Sequence, residues 1–131
     1  MQLIPILHII FYLATLSLPE GATRFTISSG YEPKLTWVRE ADGRWRAITA
    51  TGRDAGLWSA NGLVVSVTEQ GENSKRDLSA FVKVATAADG QKQISLDGKA
   101  VTLISTTNRI TFSQAEGGLL GKAIAISYFA K

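Results

Sequence analysis

The chain reads as an all-β domain, an antiparallel β-sandwich or small barrel of consecutive hairpins, preceded by a signal peptide. Three observations predict this. Dipeptides that favour hairpin turns recur at Asp42-Gly43, Asn61-Gly62, Asp89-Gly90 and Asp97-Gly98, because glycine accepts the positive φ such turns need and Asn or Asp tolerates it. The segments between them are short and rich in Val, Ile, Thr, Trp and Phe, the composition of strands in a sandwich or barrel. The opening run, MQLIPILHIIFYLATLSL, contains no Lys, Arg, Asp or Glu and differs from everything after it.

That run is shorter than the roughly 20 apolar residues a membrane-spanning helix needs and fits the core of a secretory leader. Residues 1–22 are therefore read as a signal peptide and 23–131 as a single antiparallel β domain, secreted to a periplasmic or extracellular space. The start of the leader lacks Lys and Arg, and a cut after Ala22 leaves Glu20 three positions before it. An uncleaved anchor and a hydrophobic first strand are the alternatives.

The 131-residue chain carries 14 Lys and Arg against 11 Asp and Glu, a net +3 that becomes +4 once Glu20 is removed. This is mildly basic, compatible with an anionic ligand and far from a nucleic-acid-binding tail. Cysteine is absent and the single histidine, His8, lies in the leader. The mature domain must then fold on its apolar core without disulfides. It has no means of building a Ser-His-Asp or Cys-His centre, and lacks the usual ligands of structural zinc, haem or iron–sulfur clusters. The expectation is a protein that is not an enzyme and takes neither metal nor cofactor.

Strands are predicted near 23–29, 34–40, 44–50, 56–60, 62–69, 79–86, 91–96, 99–105, 108–113 and 121–129. The polar stretch QGENSKRD (70–77) reads as an exposed loop. Ser74 and Asp77 resemble a capping box, but Phe81, Val82 and Val84 favour a strand, preceded at most by one helical turn. AEGGLLGK (115–122) lacks phosphate-loop spacing and reads as a flexible connection to the last strand.

Register follows from requiring one apolar face per strand. A three-residue bulged turn at Ala88-Asp89-Gly90 pairs Val84 with Ile94 and Val82 with Leu96. A two-residue turn at Asp97-Gly98 then sets Val101 opposite Ile94 and extends the face to Leu103, which predicts these strands as the centre of the core. The same bulged turn at Ala41-Asp42-Gly43 sets Arg39 opposite Trp45 and Trp37 opposite Ala47. Leu35, Trp37, Arg39, Trp45 and Ala47 thereby share a face, with the two indoles diagonal neighbours.

The candidate site is this pair of tryptophans with Arg39, completed by Trp58 from the adjacent hairpin. An aromatic surface flanked by arginine suits the apolar face of a sugar ring, a nucleobase or a lipid headgroup region. The alternative for the indoles is core packing, with Trp58 against Val64 or Val65. Arg39, Arg44, Arg46 and Arg53 are a mild signal for anion recognition, or ordinary strand charge balanced by Glu40, Asp42 and Asp54. No carboxylate pair is singled out for glycoside chemistry.

GLW at 56–58 resembles the G-x-W signature of lipocalins, although there it lies on the first strand. The order of LTWVREADG, GRDAG and GGLLG resembles the succession of short motifs in the aegerolysins, with a shorter first spacing and no Cys- and Trp-rich central segment. That resemblance implies a β-sandwich that binds membrane lipid. The expected function is a non-enzymatic binding module recognising a carbohydrate or anionic glycan. A membrane-lipid binder and a structural or interaction subunit are the alternatives.

Overall fold

The computed structural model describes residues 6–130; residues 1–5 of the expected leader lie outside this range. One helix, α1 (Ile6–Ser17), precedes twelve strands: β1 (Ala22–Ser29), β2 (Leu35–Arg39), β3 (Trp45–Thr49), β4 (Asp54–Asn61), β5 (Val64–Glu69), β6 (Glu72–Asp77), β7 (Val82–Thr86), β8 (Lys92–Leu96), β9 (Lys99–Ala100), β10 (Thr102–Thr106), β11 (Arg109–Ser113) and β12 (Ile124–Ala130). Nine strands form one sheet in the order β10-β11-β12-β1-β2-β3-β4-β5-β6, and β7-β8-β9 form a second, smaller one. All ladders are antiparallel. The protein is therefore mostly antiparallel β, a meander from β1 to β6 extended by the return of β12 beside β1.

The turns set the register as their chemistry requires. Around Gly43 (φ 92°) Arg39 faces Trp45 and Trp37 faces Ala47, with Glu40 N donating to Arg44 O at 2.7 Å. Around Gly90 (φ 87°) Val84 faces Ile94 and Val82 faces Leu96. Positive φ at both Asp97 and Gly98 closes the tighter turn, and Val101 N donates to Ile94 O at 2.9 Å.

Three expectations are corrected. Residues 72–77 form a strand, not a loop: Gln70 and Gly71 both take positive φ and fold β6 back on β5. Every residue of β6 is exposed, so this edge strand carries no apolar alternation by which to recognise it. Trp58 pairs with Val67, while Val65 faces Ala60. The β7–β8–β9 hairpins are peripheral rather than central. Val82, Ile94 and Leu96 are buried, but Val84 is 37% and Leu103 39% exposed. The reason is that the chain leaves the small sheet after Ala100 and β10 pairs with β11 instead.

The opening apolar run is a helix at residues 6–17, not a strand. Ile9, Ile10, Phe11, Leu13 and Ala14 are fully buried and Tyr12 nearly so. Six consecutive buried residues leave no face of the middle of α1 for solvent, while residues 6–8 and 15–17 at its ends are half-buried; a helix apolar all round is one that is buried. It belongs to the same core as Phe25, Ile27, Trp37, Val65, Phe112 and Ile126. Among the described residues no helix is long and apolar enough to cross a membrane.

Candidate functional site

Alternation along the central strands aims one set of large side chains at α1. Phe25 on β1, Trp37 on β2, Trp45 on β3 and Trp58 on β4 occupy buried positions of their strands, and strand pairing brings them side by side: Phe25 faces Trp37, and Trp45 faces Trp58. Phe25 stacks on Trp37 with centroids 4.8 Å apart and meets Trp45 edge-on at 5.0 Å. Trp37 and Trp58 are perpendicular at 5.5 Å. These are the offset and edge-to-face separations at which ring quadrupoles attract. The result is a continuous aromatic wall.

Trp37 and Trp45 share a face as their register predicts, Trp58 joins them, and all three face inward. Trp37 is fully buried, Trp58 is 4% and Trp45 8% exposed. The helix lies against two of them: Phe11 is 5.3 Å from Trp58 and 5.8 Å from Trp37, and the tilted His8 ring is 5.0 Å from Trp58. Gly56 makes room beside Trp58, since a Cβ there would meet Val67 Cγ1 at 2.9 Å.

Hydrogen bonding divides the wall. Trp58 Nε1 donates to Ala55 O at 2.9 Å, whereas Trp37 Nε1 is buried without an acceptor. Among the described residues no polar or charged side chain is buried. Burial pushes the His8 imidazole below its ordinary pKa, with the Arg76 charge adding to the effect; the ring is held neutral against Trp58.

Arg39 stands at the exposed rim of the wall, its guanidinium carbon 5.7 Å above the Trp45 ring. Both residues line a pocket of about 270 Å³ with Thr15, Leu18, Glu20 and Ala22 at the end of α1. The other arginines near it are engaged elsewhere. Arg44 closes on Asp42 at 2.7 Å, and this side-chain hydrogen bond holds the Asp42 carboxyl below the usual carboxylate range. Arg46 bridges Glu40 at 3.3 Å and Asp54 at 2.9 Å. These are solvated strand pairs, each worth little. Arg39 forms no ion pair among the described residues.

No protein-family model, curated protein or solved structure matches this chain.

The site therefore rests on its own geometry. A larger depression of about 670 Å³ between Lys83, Lys92, Ile94 and Leu103 opens on the outer surface and shares no residue with the wall. Among the described residues there is no cluster of three potential metal-ligating His, Cys, Asp or Glu. Phe25 alternates with Ile27 in β1, a readable sign of a buried face, but Phe11 gave no sign because it lies in a uniformly apolar run.

Proposed function

We propose that the domain is a secreted, non-enzymatic binding module whose ligand surface is the aromatic wall of Trp37, Trp45 and Trp58, with Arg39 at its mouth. Residues 1–22 act as the leader, and their removal on export uncovers the wall. The supporting observation is the cover itself: three large aromatic rings of the sheet, Phe25, Trp37 and Trp58, lie against a segment whose composition is that of a signal peptide. Without that segment the wall is an uncovered apolar face of the nine-stranded sheet, and predominantly apolar, aromatic surfaces are the kind small ligands occupy.

The chemistry of the wall favours a lipid-like ligand over a glycan. A sugar presents hydroxyls that need buried partners, and among the described residues no polar or charged side chain is buried, which leaves the indole N–H groups. Titration of the exported protein with an apolar fluorescent probe and with neutral and anionic oligosaccharides tests this. Saturable probe binding with a change in tryptophan emission is expected. A start at Met1 in N-terminal sequencing, or oligosaccharide binding without probe binding, would refute it.

A second reading, as an interaction subunit, has the β10 edge behind it. Residues 102–106 (TLIST) are all exposed and include no charge or proline, the devices that keep edge strands from pairing with other chains. Ile104→Lys should abolish any concentration-dependent self-association seen by sedimentation. An associated state that survives the substitution removes this reading.

A further inference from the structure

We infer that the ligand of the wall is a long-chain fatty carboxylate, whose chain follows the path of α1 and whose head sits at Arg39. This deepens the proposed binding function and rests on it.

The path has two unlike ends. The first half of α1 lies at Trp58, beside the tilted His8 ring, and its middle residue Phe11 spans Trp58, Trp37 and Phe25. Its last turn reaches the mouth, where Thr15 and Leu18 share a pocket with Arg39 and Trp45. The 12 residues of α1 cover about 18 Å, the length of a single extended long acyl chain. Apolar walls along the path and a cation at one end form the complement of a single-chain anionic amphiphile.

Charge places the head. Arg39 is exposed at the rim and forms no ion pair among the described residues. The one carboxylate lining its pocket, Glu20, belongs to the departing segment. A guanidinium matches a planar carboxylate with paired N–H donors. A second donor stands nearby: Trp37 precedes Arg39 by two residues on the same face of β2, about 7 Å along the strand. Its buried Nε1 has no acceptor while α1 is docked. A buried donor left unmade is costly, so the helix is an imperfect occupant. Trp37 stands deeper along the path, beside Phe11, so a head at the mouth is met by Arg39.

The test uses the full chain, folded with α1 in place. A site-specific protease sequence is inserted between Glu20 and Gly21, in an exposed turn, and cut after folding. Palmitate, its methyl ester and hexadecyltrimethylammonium are added separately. Release of the N-terminal fragment is followed by gel filtration, bound lipid by mass spectrometry and fold by circular dichroism. Palmitate should bind and displace the fragment at about tenfold lower concentration than the ester, the size of one charge-assisted hydrogen bond, and Arg39→Gln should erase that preference. If the fragment leaves on cutting alone, the same comparison is made on the open domain. Equal binding of all three chains, or a preference unchanged in Arg39→Gln, overturns the carboxylate assignment and leaves the apolar wall standing as a binding surface. No binding of any chain, or a domain that unfolds once the fragment is released, overturns the binding reading as well.

Discussion

Replacing Trp45 by alanine tests the inward orientation of the aromatic wall. Trp45 is 8% exposed, meets Phe25 edge-on at 5.0 Å and faces Trp58 across the β3–β4 ladder. An indole buries on the order of 150–250 Å², worth about 4–6 kcal/mol at ~25 cal/mol per Å². The retained methyl group returns about 1 kcal/mol of this. Position lowers the figure slightly, because Trp45 lines the 270 Å³ mouth pocket and its neighbours can partly close on the space it leaves. The expected loss is about 3–4 kcal/mol, inside the range for buried aromatic truncations. In urea melts of the full chain, followed by far-ultraviolet circular dichroism, the midpoint should fall by roughly 1.5–2 M with the slope unchanged. A loss below about 1 kcal/mol, the size of an ordinary surface substitution, would show that Trp45 is not part of the core and that the indoles face solvent.

Other perturbations address the remaining links. Leu96→Ala should cost about 2–4 kcal/mol because Leu96 is fully buried, whereas Val84→Ala, at a position 37% exposed, should cost under about 1 kcal/mol; comparable losses in denaturant melts would contradict the peripheral placement of β7. Gly56→Ala should lower the melting temperature, since Gly56 has φ of 102° and its Cβ would press on Val67; an unchanged melting temperature would mean that β4 and β5 are packed differently. Acid should loosen α1. The docked His8 is neutral with a lowered pKa, so its contribution is complete above about pH 6.5, the unfolded value, and declines as pH falls through the folded one. Stability measured from pH 8 to 5 should show this fall, and His8→Phe should flatten it. A wild-type chain insensitive to pH in that window would remove His8 from the contact.

Much of the β architecture is legible without coordinates because hairpins are local. The Asp-Gly turns state their own geometry, and side chains alternate with period two. Pairings such as Arg39 with Trp45 and Val82 with Leu96 therefore follow from a loop length and an apolar face. The grouping of Trp37 and Trp45 on one face follows in the same way, whereas the place of Trp58 depends on the β3–β4 pairing. The β6 strand does not, because both its faces meet water and its sequence carries no alternation. Nor does the peripheral position of Val84 and Leu103: apolar pairing within a hairpin says nothing about which larger sheet that hairpin joins.

The sequence by itself determined the antiparallel class, the turn positions, the registers across them and the chemical separateness of the first eighteen residues. Tertiary structure decided which side of the Trp37–Trp45 surface is inside and what lies against it. Strand periodicity distinguishes two faces but labels neither, because a face becomes interior only when another element covers it. Here the covering element is α1, a helix buried through its middle, whose apolarity is the same property that marks a secretory leader. Composition alone cannot separate two fates that share one physical requirement, the avoidance of water.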